Sequence, residues 1–210
     1  MIALWYWLQE NWKDIVEAIC AVTVAICAVS ALYTWRKEFV GKKKIEFAAE
    51  FIEKAIEIKV FITYVRSGFS YESEEKDIEN ELKKENKYIK DRKIAYLVPK
   101  YRILKNDENI KSFYALKTKS FMYFGSDSLK IFDIISQALV KIKISSDALY
   151  VNSYSGFLKD EKKQKYEEDI WSSGSSEDKI SLEIDNAIKE LKLNLEPLYQ
   201  DKTFKWKTFK

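Results

Sequence analysis

The 210 residues of this chain include no histidine, so general acid–base chemistry falls chiefly to its carboxylates, lysines and tyrosines. That removes imidazole general bases, histidine-activated nucleophiles and histidine-containing metal sites together. The two cysteines, Cys20 and Cys27, both fall inside one apolar run, where they can build neither a disulfide framework nor a cysteine-rich zinc site. The 33 Asp and Glu residues are spread through charge runs of the kind found on solvated surfaces, and no pair stands apart as an acid–base couple. There is no P-loop, no dinucleotide fingerprint and no cysteine pair at metal spacing, so the sequence calls for no cofactor and no metal, and names no catalytic residue. An enzyme is the less favoured class.

Two leads remain. Arg66, in YVRSGF, is one of four arginines and ends an apolar helical pattern. It could grip a phosphate or a carboxylate, although such a residue more commonly caps a helix C-terminus. The tail, residues 202–210, alternates Lys202, Lys205, Lys207 and Lys210 with Phe204, Trp206 and Phe209. That mixture suits an anionic membrane surface or stacking on single-stranded nucleic acid, although packing onto the chain's own helices, or no fixed structure, is the more expected reading.

Five glycines and two prolines in the whole chain, with abundant Lys, Glu, Ile and Leu, describe an all-α protein. From Ala18 to Trp35 run 18 residues without a charge, enough to span a bilayer as a helix. Trp5, Trp7, Trp12 and Trp35 flank the run, as interfacial anchors do. A signal peptide puts its positive charge before the apolar core. Here Glu10, Asp14 and Glu17 precede it, while Arg36, Lys37, Lys42, Lys43 and Lys44 follow. The expected arrangement is a single-pass protein with its N-terminus outside and its C-terminal domain in the cytoplasm. A core helix of a soluble protein is the plainer reading, and it leaves the tryptophan flanks and the charge asymmetry as coincidence.

At 100° per residue the run separates into stripes. Ala18, Ala21, Ala25 and Ala28 share one face. Cys20, Thr23, Cys27 and Ser30, with Thr34, lie roughly opposite. Bulky Ile19, Val22, Ile26, Val29 and Tyr33 lie between them and suit lipid. Small-residue seams let helix backbones approach closely, which predicts a homo-oligomer formed through the span; the plain alternative is that Ala, Ser and Thr are simply common in spans.

The pattern predicts five stretches. These are an N-terminal interfacial segment (1–14), the span (15–35), a juxtamembrane helix (36–66), a cytoplasmic bundle of four to six helices (67–201) and the tail (202–210). The juxtamembrane helix places Ile45, Ala48, Ile52, Ala55, Ile56, Ile62 and Val65 on one face. Residues 72–93 read as a solvated helix or a linker. Residues 94–124 read as aromatic-rich core helix bent near Pro99, with a strand able to hide around Tyr114–Phe124. Ser126–Ser128 is expected to cap a helix whose stripe is Leu129, Ile131, Phe132, Ile135, Leu139, Ile142 and Ile144. Ser175 and Asp178 suggest a capping box for a last helix through Ile180, Ile184, Ile188, Leu191 and Leu195. Everything after Lys44 carries about one net positive charge, too little for a general nucleic-acid binder.

The segments Trp35-Arg36-Lys37-Glu38, Gly41-Lys42, Phe47-Ala48, Arg66-Ser67-Gly68-Phe69, Ile170-Trp171 and Glu196-Pro197-Leu198 together resemble a group of small bacterial membrane proteins with one span and a helical cytoplasmic domain. The resemblance implies a bacterial inner membrane and supplies no catalytic residues. Two functions are then expected. One is a membrane-anchored interaction or effector module, defence or toxin-like, with a cytoplasmic protein partner. The other is a membrane-tethered enzyme using carboxylates and a divalent metal.

Overall fold

In the computed structural model, residues 6–7, 11–85, 87, 89, 91–154, 158–172 and 178–199 are described, and no strand occurs among them. Contacts group the chain into residues 1–47 and 48–210. Helix α1 runs unbroken from Trp12 to Val65, and Gly41 lies inside it without ending it. Seven α-helices follow among the described residues, more than the four to six expected. They are α2 (Glu72–Lys84), α3 (Val98–Lys105), α4 (Asp107–Ala115), α5 (Lys117–Phe124), α6 (Lys130–Asn152), α7 (Asp160–Ile170) and α8 (Lys179–Tyr199), with 3-10 turns at Ile94–Leu97 and Ser126–Leu129.

The extra helices come from residues 94–124, which form one 3-10 turn and three short helices. Pro99 does not bend a helix there. It sits in the first turn of α3, where a missing N–H removes no hydrogen bond. The Tyr114–Phe124 stretch is helical. Gly125 then stops α5 at φ 77°, a left-handed conformation that glycine adopts without strain. Ser126–Ser128 forms the 3-10 turn instead of a cap, and Ser128 Oγ donates back to the Gly125 carbonyl at 2.7 Å. Residues 72–84 are helix, anchored by buried Ile78.

The core of residues 48–210 is built on the face of α1 carrying Ala48, Phe51, Ala55, Ile58, Ile62 and Val65, all buried. Their 3,4 spacing is that of a helix seam packed on a partner. Ile45 and Ile56, expected on this face, are exposed instead. Phe51 stacks on Phe132 of α6 with ring centroids 5.4 Å apart, and Phe113 of α4 closes on Phe132 at 4.6 Å. Tyr114 Oη donates to the Phe132 carbonyl at 3.0 Å. In α6 the stripe Ile131, Phe132, Ile135, Leu139 and Ile142 is buried as expected, whereas Ile144 has rotated out to solvent. The α8 stripe Ile180, Ile184, Ile188, Leu191 and Leu195 is buried throughout. A second cluster joins Ile78, Tyr96, Leu97, Val98, Leu149, Tyr150 and Ile170.

Charged pairs fix the helix directions. Asp178 and Asp185 at the start of α8 meet Arg66 and Lys59 at the end of α1, so α8 runs antiparallel to that half of α1. Glu190 meets Lys130 and Glu183 meets Lys141, so α8 is antiparallel to α6 as well.

Candidate functional site

Two features could carry function: the apolar half of α1, and a pair of buried arginines that lock the helical unit together. In the first, the apolar window that qualifies α1 as long and apolar enough to cross a membrane has none of its residues buried. Ile19, Val22, Val24, Ile26, Val29, Leu32, Tyr33 and Trp35 are each more than half exposed. The Ala18, Ala21, Ala25 and Ala28 face and the Cys20, Thr23, Cys27 and Ser30 face both lie open on this helix, and both cysteines are free. Thr23 Oγ1 donates to the Ile19 carbonyl one turn back at 2.8 Å. Its proton is therefore satisfied within the helix, which leaves the polar stripe with one hydrogen-bond donor fewer to offer a neighbour.

At the start of the segment, Asn11 donates to the Trp7 carbonyl from both its backbone N–H (3.0 Å) and Nδ2 (2.9 Å). Trp7 and Trp12 are exposed there, while Trp5 lies outside the described residues. At the other end Trp35 stacks on Phe39 at 5.6 Å. Arg36, Lys37, Lys42, Lys43 and Lys44 follow on the same helix, with Lys43 Nζ 2.7 Å from Glu46.

Arg66 and Arg102 are the largest fully buried side chains in the chain's core, at 1% and 2% exposure. A buried guanidinium is costly unless its donors are all met. Arg66 meets this requirement by joining three helix ends. Its Nη1 lies 2.8 Å from each Asp178 carboxylate oxygen. Nε donates to the Asp169 carbonyl at 3.0 Å, and Nη2 to those of Glu168 (2.7 Å) and Trp171 (3.1 Å). These carbonyls belong to the C-terminal end of α7, where no further helical N–H reaches them. Arg66 therefore caps a helix C-terminus, though it is α7 rather than its own helix, and the carboxylate it grips is internal.

Asp178 in turn is the N-cap of α8: its Oδ1 accepts the Ser181 backbone N–H at 3.1 Å, and its Oδ2 accepts from Ser172 Oγ at 3.0 Å. It stands three residues earlier in the cap than expected, and Ser175 lies outside the described residues.

Arg102 does the same for the end of α1. It donates to the carbonyls of Tyr64 (3.0 Å), Ser67 (3.1 Å) and Phe69 (2.6 Å), and forks onto both Glu74 oxygens at 2.9 and 2.8 Å. Its guanidinium lies 4.7 Å from the centre of the Tyr64 ring. The two clasps hold both sides of the turn at Ser67–Ser70. Arg102 escaped sequence reasoning because it sits in a short, polar-looking helix, VPKYRILK, with no motif around it.

The electrostatics are those of a structural lock. Hydrogen bonds from Arg102 hold the Glu74 carboxyl below its ordinary pKa, against the opposing effect of burial. At Asp178 burial favours the neutral acid, but hydrogen bonds from Arg66, the Ser181 N–H and Ser172 together outweigh it, and its pKa also lies low. Carboxyls depressed in the folded state stabilise it above their unfolded pKa and lose that contribution as pH falls through the folded value. Thermal unfolding of the full chain in detergent should thus be level between about pH 8 and 5 and fall below about pH 4. E74Q should unfold earlier at neutral pH and show a shallower acid limb; an unchanged limb contradicts the role given to Glu74. Burial and a 2.8 Å hydrogen bond to Glu167 push the Tyr96 phenol up to about 12, which makes it a permanent donor and a poor nucleophile.

A crevice of about 110 Å³ lies between Lys93, Tyr96, Leu149, Asn152, Ser153 and Lys163. That is room for about three or four waters, well short of the roughly 300–1,000 Å³ of small-molecule sites. Among the described residues no group of three or more His, Cys, Asp or Glu is placed to hold a metal ion. The geometry defines an all-α chain with one helix fit to cross a membrane and a separately packed helical unit. No family model, curated protein or solved structure matches it.

Proposed function

We propose that this protein is a membrane-anchored interaction or effector module of a bacterial inner membrane. Its α1 segment crosses the bilayer once, with the N-terminus outside. Its helical unit stands in the cytoplasm, where it engages a protein partner, in a defence or toxin-like role. One observation carries the reading: an apolar window with no residue buried belongs to the same chain as a helical unit that packs its own core. A monomeric soluble protein rarely exposes a contiguous apolar patch of more than a few hundred Å², so something other than this chain covers the segment. Lipid fits the length, the flanking Trp12 and Trp35, and the basic residues that follow.

The helical unit supports binding better than catalysis, since its buried charges are spent on helix ends. Self-association through the span follows from the alanine face. With Thr23 bonded internally, close packing at Ala21 and Ala25 is the stronger of the two contacts. A21L/A25L is expected to lower the chemically crosslinked dimer fraction of the full-length protein in membranes severalfold. Crosslinking equal to the parent's contradicts the seam.

A further inference from the structure

We propose that the crevice bounded by the end of α6, the first turn of α7 and the 3-10 turn Ile94–Leu97 binds a single phosphate group, as the free ion or as the terminal phosphoryl of a small molecule. Lys93 and Lys163 line it together with Tyr96, Asn152 and Ser153. Arg92, the residue before Lys93, brings a third positive charge. Its guanidinium lies 5.3 Å from the centre of the Tyr150 ring, next in α6 to Leu149, which also lines the crevice. Among the described residues no carboxylate lies within ion-pair distance of Arg92 or Lys93. Lys163 has only Glu167, 4.0 Å away, and that carboxylate already accepts from the Tyr96 hydroxyl at 2.8 Å.

The other two arginines of the helical unit show what this corner lacks. Arg66 and Arg102 each meet an internal carboxylate, Asp178 and Glu74, and spend their remaining donors on carbonyls. Arg92 has no such partner: its Nε is buried without a hydrogen bond among the described residues, and so is the hydroxyl of Tyr150, whose ring it covers. Buried donors without an acceptor are costly, which marks a place short of an anion. Lysines near a helix C-terminus commonly serve its last carbonyls, but at the end of α6 that role is taken. The Ala148 carbonyl accepts from Asn152 Nδ2 at 2.7 Å, and that of Tyr150 from Ser153 Oγ at 2.8 Å. Ammonium groups bind phosphate as point charges, and a phosphoryl group carries about 1.5 to 2 negative charges at pH 7. A crevice of about 110 Å³ has room for one tetrahedral oxyanion, so a larger ligand leaves its remainder in solvent. The site lies wholly within residues 48–210 and stands whether or not α1 crosses a membrane.

The test titrates the full chain in detergent with sodium phosphate, at an ionic strength held constant with sodium chloride, and reads the heat by isothermal calorimetry. Saturable binding with a Kd of about 1 mM or tighter is expected. K93Q/K163Q should weaken it about tenfold or more while leaving the circular dichroism unchanged. If that double variant unfolds, K163Q alone, at a side chain 47% exposed, is expected to weaken binding severalfold. K111Q/K189Q removes the same charge from α4 and α8 and should bind as the parent does. Glycerol phosphate distinguishes the sources: affinity equal to that of phosphate assigns a phosphoryl ligand, and binding of phosphate alone assigns the free ion, with the site upheld in either case. No saturation by either compound overturns the proposal, as does parental affinity in the folded lysine variants or an equal loss in K111Q/K189Q.

Discussion

R66L is expected to cost the helical unit about 3–5 kcal/mol, the usual consequence of removing one partner from a buried ion pair. The substitution leaves the Asp178 carboxylate, 3% exposed, without its counter-charge, and strips the Glu168, Asp169 and Trp171 carbonyls of their donor. In a chain of this size that corresponds to a fall in Tm of about 10 °C. R66K should recover only part of the loss, because one ammonium cannot serve Asp178 and three carbonyls at once. R66L/D178L should cost clearly less than the two single changes added together, since the second removes the charge that the first abandons. Chemical denaturation of the detergent-solubilised full chain, followed by circular dichroism, decides the matter. A loss for R66L below about 1 kcal/mol, or strict additivity of the pair, contradicts the clasp.

The second large effect lies in the span. Val22 and Ile26 are 59% and 62% exposed on its bulky stripe and make no part of the 48–210 core. Each arginine placed near the centre of a membrane helix costs about 2.5–3.5 kcal/mol of insertion. V22R/I26R should therefore lose about 5–7 kcal/mol and with it nearly all insertion, while the helical unit keeps its circular dichroism and Tm. A co-translational insertion assay, in which glycosylation reports which side of the membrane a segment reaches, provides the readout. Equal insertion of parent and variant contradicts the assignment of this stripe to lipid.

How far the sequence discloses this architecture depends on how strongly each segment's periodicity is set by burial. The α8 stripe reads correctly because its isoleucines and leucines recur every three to four residues among charged neighbours, so only one face can be buried. The end of α1 at Val65 is equally legible from the SGFS turn. Along residues 45–65 apolar residues occupy several faces. Choosing isoleucines by type selected Ile45 and Ile56, while the buried ladder uses Phe51 and Ile58. Ile144 misleads for a similar reason: near the end of α6 the inward positions pass to Ser145 and Ser146, whose small side chains sit buried in the packing.

Asp178 shows the limit of local motif reading. Its spacing from Ser175 imitates a capping box, but its register is set by Arg66, 112 residues away in sequence. No periodicity could reveal Arg102 either, since its partners are backbone carbonyls of a turn some 33 to 38 residues earlier. Both arginines cap the ends of distant helices, which is a property of tertiary structure alone.

Isolated membranes from cells expressing the intact chain, washed with alkaline carbonate and floated on a density gradient, test the central claim most directly. The account predicts that the chain rises with the lipid, because Ala18–Trp35 is held by hydrocarbon and not by surface charge. Recovery of the intact chain in the detergent-free soluble fraction contradicts it, and removes the membrane anchor with it.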